Sequence, residues 1–237
     1  MKWSALFLAG LTLLACDSQQ VEQIKVTPPA GVSVPEDMVY IPAGAFIMGH
    51  PEDALTEGGR EVLLDAYLID RYEVTREQYH AFKPEASFDA AQARFPAALI
   101  TYDEAASYCR WREKRLPTEA EWEKAARGTD GRKWPWVNYV KHPNDGFSGF
   151  LPEPVDKRVN WISPYGIFGM GYNVWEWTAD DYTYTGQPEH EKNRFKVIRG
   201  GLIQTHLSIS FSPTYHRNYM EPGESFNFIG LRCARDA

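Results

Sequence analysis

Three four-residue segments of this chain, Thr75-Arg-Glu-Gln78, Thr101-Tyr-Asp-Glu104 and Thr118-Glu-Ala-Glu121, repeat one device. In each, the threonine hydroxyl can accept the backbone N–H three residues on, while the Gln or Glu side chain reaches back to the threonine N–H. That is a capping box, and it starts a helix. The chain is thereby committed to helix starts at 75, 101 and 118. The third helix is delimited at both ends, running from Glu119 to about Arg127 and stopping at Gly128, which can take the left-handed conformation. The second puts Ala105 and Cys109 one turn apart on one face. Around these helices the pattern is short and interrupted. Met38–Ile41 and Ala45–Met48 flank Pro42-Ala43-Gly44 and read as a hairpin, and Glu61 to Asp70 reads as a strand-like run entering a helix. Beyond Gly128 short strands and turns dominate, with Phe195 to Ile198 the clearest strand. Eight tryptophans, 18 glycines and 16 prolines argue for a loop-rich domain packed around aromatics, against a helical bundle or a repetitive sheet. No internal repeat is visible.

The N-terminus sets the expected compartment. Met1-Lys2 is a short positive region, and the apolar run Ala5 to Leu14 has signal-peptide length, too short to span a bilayer as a stable anchor. Leu13-Leu14-Ala15-Cys16 resembles a bacterial lipobox, which implies cleavage before Cys16 and diacylglycerol on its thiol; the alternative is an ordinary signal peptide cleaved nearby. The expected organisation is a signal peptide over 1–15, a lipidated Cys16 with a flexible tether over 16–37, and one folded domain over 38–237. Localisation on the periplasmic side of the cell envelope follows, with the membrane as a partner through the anchor at Cys16. Asp17 resembles an inner-membrane retention signal, and inner versus outer membrane stays open. The formal net charge is −7 and no basic block is present, which argues against nucleic acid as a partner.

Seven segments in a fixed order carry a family resemblance: Met38-Val-Tyr-Ile-Pro-Ala-Gly-Ala-Phe-Ile-Met-Gly49, Tyr72 to Tyr79, Ala105 to Trp111, Arg115 to Glu123, Asn173-Val-Trp-Glu-Trp177, Arg199-Gly-Gly201 and Ile229-Gly-Leu-Arg-Cys233. Together they resemble the formylglycine-generating enzyme, or sulfatase-modifying factor, family over about residues 38–235. The resemblance implies an α+β fold related to C-type lectins, with short helices, small antiparallel sheets and little regular secondary structure. In such a fold Trp122, Trp175 and Trp177 are core aromatics ahead of substrate-stacking ones.

The resemblance also implies a disulfide between Cys109 and Cys233, the two cysteines besides Cys16, set against the reading of two buried thiols. Active relatives carry two cysteines five residues apart after the Arg-Gly-Gly segment, which bind copper(I) as soft thiolates and convert a target cysteine to formylglycine. Here those positions read Thr205 and Ser210, and no cysteine lies between Gly201 and Cys233. A hydroxyl replaces neither thiolate function, so copper is not expected and the reading leans away from an enzyme. His206 and His216, with Tyr215, Ser208, Ser210 and Glu221, form a polar set that could hold iron or act as acid and base, weighed against solvated histidines, because no compact metal motif is present.

Calcium is implied in part. At one site the Asp145 carboxylate and Phe147 carbonyl match, with Asn138 as a substitute ligand; at the other, Glu176 and the carbonyls of Tyr172 and Val174 match, while Gly169 stands where a ligand side chain is usual. The resulting expectation is a tethered lipoprotein without thiol-oxidase activity that binds an envelope protein or an extended peptide, as an assembly or maturation factor. A non-heme metal oxidoreductase using the same groove is the alternative, and sulfatase maturation ranks last.

Overall fold

A computed structural model of the 237-residue chain describes residues 23–51, 53, 58–136, 151–204 and 209–237. All three capping boxes form. The hydroxyls of Thr75, Thr101 and Thr118 accept the backbone N–H of Gln78, Glu104 and Glu121, whose side chains accept the threonine N–H in return at 2.9, 3.0 and 2.7 Å. They start α1 (Arg76–Phe82), α2 (Tyr102–Trp111) and α3 (Glu119–Arg127). Gly128 ends α3 at φ 72°, and a Cβ there would press on Pro164 at 3.0 Å. The capping glutamate of α3 is itself held, because Arg115 donates to both Glu121 oxygens at 2.7 Å.

Four small sheets surround these helices. β1 (Met38–Ile41) and β11 (Ala234–Asp236) both pair antiparallel with β4 (Tyr67–Asp70), and β2 (Gly44–Met48) pairs with β3 (Arg60–Leu64). The four-stranded sheet runs in the order β10 (Ile229–Gly230), β5 (Trp175–Asp181), β6 (Lys196–Arg199), β9 (Asn218–Met220), with β10 parallel to β5. β7 (Leu202–Gln204) and β8 (Ile209–Phe211) form a separate pair.

Three expectations are corrected. The hairpin read over 38–48 does not form: β1 joins β4 and β2 joins β3, so the two strands belong to different sheets. The turn between them is tied to α3, where the buried Lys124 donates Nζ to the carbonyls of Pro42 (2.7 Å) and Gly44 (2.8 Å). The run Glu61 to Asp70 likewise divides at Asp65-Ala66 into β3 and β4. From Gln23 onward, the segment expected as tether lies on the domain: Ile24 donates its N–H to the Pro164 carbonyl, and Val26, Val32 and Val34 pack against the core. Cys16 lies outside the described residues. Among the described residues, no helix is long and apolar enough to cross a membrane.

The core is aromatic, as the composition suggested. One cluster gathers Tyr79, Tyr108, Ile100, Trp177 and Ile198; a second gathers Ile41, Tyr67, Ile69, Trp122 and Met170. Two glycines after Arg199 make room for the large rings. A Cβ on Gly200 would lie 2.4 Å from Trp122, and one on Gly201 would lie 2.3 Å from Trp175. Cys109 on α2 is joined to Cys233 just before β11, with Cα atoms 5.6 Å apart and a sequence separation of 124.

Gly201→Ala forces the Trp175 ring aside, and overpacking of this kind costs about 1–3 kcal/mol. Urea unfolding of the variant reads that loss as a lower midpoint. Replacing Cys109 and Cys233 by Ser removes a long loop closure, and the expected loss is about 2–5 kcal/mol, measured in the same way without reductant.

Candidate functional site

The Arg199-Gly-Gly turn leaves β6 beneath a groove of about 500 Å³. Trp175 and His216 line it, their rings 6.0 Å apart, and Trp175 donates its indole N–H to the Leu202 carbonyl at 3.3 Å. Leu202, Ile203 and Phe228 give one apolar wall; Arg217, Asn218 and Tyr219 form a polar one. A volume of this order suits a small ligand or a few residues of a peptide. The Asn218 side chain also accepts the Tyr219 backbone N–H at 2.9 Å on the edge strand β9.

Below the groove runs a chain of alternating charge. Arg127 donates to Glu123 (2.7 Å), Glu123 accepts from Arg199 (2.7 Å), Arg199 donates to Glu119 (2.6 Å), and Glu119 accepts from Arg217 (2.7 Å). The four links place three guanidinium groups against two carboxylates in a buried setting, where screening by water is weak. Arg199 lies over the Trp122 ring at 5.3 Å and keeps its buried Nε without a hydrogen-bond partner. Arg217 is stacked on Tyr182 at 4.9 Å. His216 is pushed below the ordinary imidazole range, first by burial and next by the Arg199 guanidinium, against a smaller opposing effect of Asp53. It is therefore a neutral hydrogen-bonding group at pH 7.

A model of the sulfatase-modifying factor enzyme 1-like domain matches residues 23–237. The chain belongs to the sulfatase-modifying factor family. A formylglycine-generating enzyme of Thermomonospora curvata is 29% identical over 86% of this chain and 94% of its own. The mouse protein named inactive C-alpha-formylglycine-generating enzyme 2 is 27% identical over 84% of this chain and 86% of its own. Among solved structures, variable protein 1 of Treponema denticola superposes with a TM-score of 0.69 at 22% identity, covering 84% of this chain and 95% of that one, a likeness of fold.

Within this sulfatase-modifying-factor domain the residues singled out from sequence scatter. Thr205, His206 and Ser208 lie outside the described residues, as do Asn138, Asp145 and Phe147 of the first calcium set. Ser210 is exposed on β8. His216 lines the groove, whereas Tyr215 is buried, stacked on His50 at 4.6 Å, and Glu221 pairs with Arg194 at 2.7 Å. Sequence reasoning missed Arg217 and Phe228. Nothing in their local pattern marks them, because they reach the groove through the pairing of β9 with β6 and of β10 with β5.

The second calcium set does not fit a cation as placed. Glu176 is fully buried and both its oxygens accept from Arg232 at 2.6 and 2.7 Å, with the Trp122 indole N–H adding a third donor at 2.7 Å. Arg232 supplies the positive charge opposite Glu176. The space above Gly169 is also taken, since a Cβ there would lie 2.6 Å from the Glu73 carboxyl carbon. Tyr172 and Val174 are buried in the same region.

Glu73 is the unusual acid of this region. Its Oε2 accepts from Asn173 at 3.2 Å, while its buried Oε1 has no hydrogen-bond partner. Burial first, and then the neighbouring Glu176 carboxylate, raise its pKa from 4.5 to about 8. The folded protein thus holds a proton that the unfolded chain releases at lower pH. The resulting stabilisation is fully present below the ordinary carboxylate range and is lost as pH rises toward 8. Glu73→Gln, a neutral side chain of similar shape, is expected to flatten this fall, which urea unfolding at pH 5.5 and pH 8 compares directly; equal pH slopes for both proteins would contradict it.

Proposed function

We propose that this chain is an envelope lipoprotein, anchored through Cys16, whose sulfatase-modifying-factor domain has no thiol-oxidase activity and holds an extended peptide or partner protein in the groove as an assembly or maturation factor. One observation carries the reading. Between Gly201 and Cys233 the chain has no cysteine, and its two cysteines besides Cys16 are bonded to each other. No thiolate pair is left for copper(I), and Thr205 and Ser210 offer hydroxyls, which are hard ligands and do not exchange with a substrate thiol. The mouse relative whose name calls it inactive supports the idea that this scaffold persists without the oxidase reaction. The groove supports the binding half of the reading, with an apolar wall, a polar wall and a volume suited to a peptide segment.

Three experiments test it. The purified chain, incubated with copper(I), oxygen and a sulfatase-type cysteine peptide, is expected to leave the peptide mass unchanged; conversion to formylglycine would end the non-oxidase reading. In cells, a photo-crosslinker replacing Phe228 is expected to capture a defined envelope protein, and one replacing the exposed Leu63 is not. Labelling with radioactive palmitate is expected in the wild type and absent in Cys16→Ser.

A further inference from the structure

The two walls of the groove differ in charge. On the polar side, Arg217 donates Nε to Glu119 (2.7 Å) and Nη1 to the Thr183 carbonyl (3.0 Å), leaving Nη2 with no partner among the described residues. Glu119 is shared with Arg199, so one carboxylate oxygen serves two guanidinium groups. The ion-pair chain therefore ends at the groove with one open guanidinium N–H group on Arg217. Asp180 accepts the Glu119 backbone N–H and lies close enough to Arg217 to be stabilised by its charge, although burial raises its pKa. The apolar part of the lining is formed by Leu202, Ile203 and Phe228, the last 40% exposed.

We infer that the groove selects peptide segments carrying a carboxylate next to an apolar side chain, the carboxylate paired with Arg217 and the apolar group laid on Ile203 and Phe228. The inference rests on the peptide-binding reading above. A carboxylate takes the open Nη2 of Arg217 in a charge-assisted hydrogen bond, stronger than a neutral one. A lysine or arginine at the same place meets a guanidinium and is rejected by like charge.

The test uses fluorescein-labelled octapeptide pools, blocked at both ends, whose central residue is Glu, Gln or Lys and whose neighbours are drawn from Leu, Ile, Phe and Ser. Anisotropy titration against the full chain is expected to show the Glu pool binding about tenfold tighter than the Gln pool, a factor that matches one charge-assisted bond. The Lys pool is expected to bind more weakly than the Gln pool, and the Glu preference to shrink with added salt. Arg217→Gln is expected to bring the Glu pool to the Gln level, and Phe228→Ala to weaken both alike. Since Arg217 also holds Glu119, its variant is compared at matched folded fraction, and the wild-type ranking of the three pools decides the matter even if that variant does not fold. Equal binding of Glu, Gln and Lys pools would overturn the charge selection while leaving a peptide groove in place. Failure of every pool to bind would overturn both.

Discussion

The carboxylate of Glu176 is where the separate parts of this domain meet. It sits on β5, takes the indole N–H of Trp122 from α3 and is gripped by Arg232 from the C-terminal segment, all three side chains being fully buried. Removing charges from water costs several kcal/mol per ion, so such a pair forms only where the geometry is complete. Completeness here requires the central helix, the four-stranded sheet and the last strand to arrive together. The disulfide from α2 to Cys233 reinforces the same closure one residue away, and the backbone of Cys233 is tied to Asp70 on β4 through bonds of 2.8 Å. Little of this depends on long helices or sheets, which is why a fold with short elements can still be specific.

How much of this was legible in the sequence depends on the range of the interaction. The capping boxes at Thr75, Thr101 and Thr118 formed because both of their hydrogen bonds lie within four residues. The stop at Gly128 is equally local, and the clearest strand was displaced by one residue, to Lys196–Arg199. The hairpin at 38–48 failed because Lys124, some eighty positions away, fixes the turn carbonyls of Pro42 and Gly44. The site shows the same division. His216 stood out as a titratable residue, but Arg217 acquires its role from Glu119, which the fold brings over from the first turn of α3. Glu73 is unusual only because Gly169 leaves room for its carboxyl and Glu176 lies near it.

The scaffold and the reactive positions are therefore physically separable. The Arg-Gly-Gly turn keeps its shape because Trp122 and Trp175 occupy the space beside its two glycines, whatever stands at positions 205 and 210. Sequence segments that identify the family report on packing of this kind. They are informative about architecture, and say less about the residues that line the groove.

The Asn218 side chain that takes up the Tyr219 N–H closes one of the few backbone donors on the outer strand of the four-stranded sheet. Edge strands commonly recruit a passing chain as an additional strand, a mode in which main-chain bonds give affinity with little regard to sequence. Here that route is capped and the strand is only three residues long. A capped edge of this length offers little backbone to a neighbouring strand, so it also works against edge-to-edge pairing between copies of the domain.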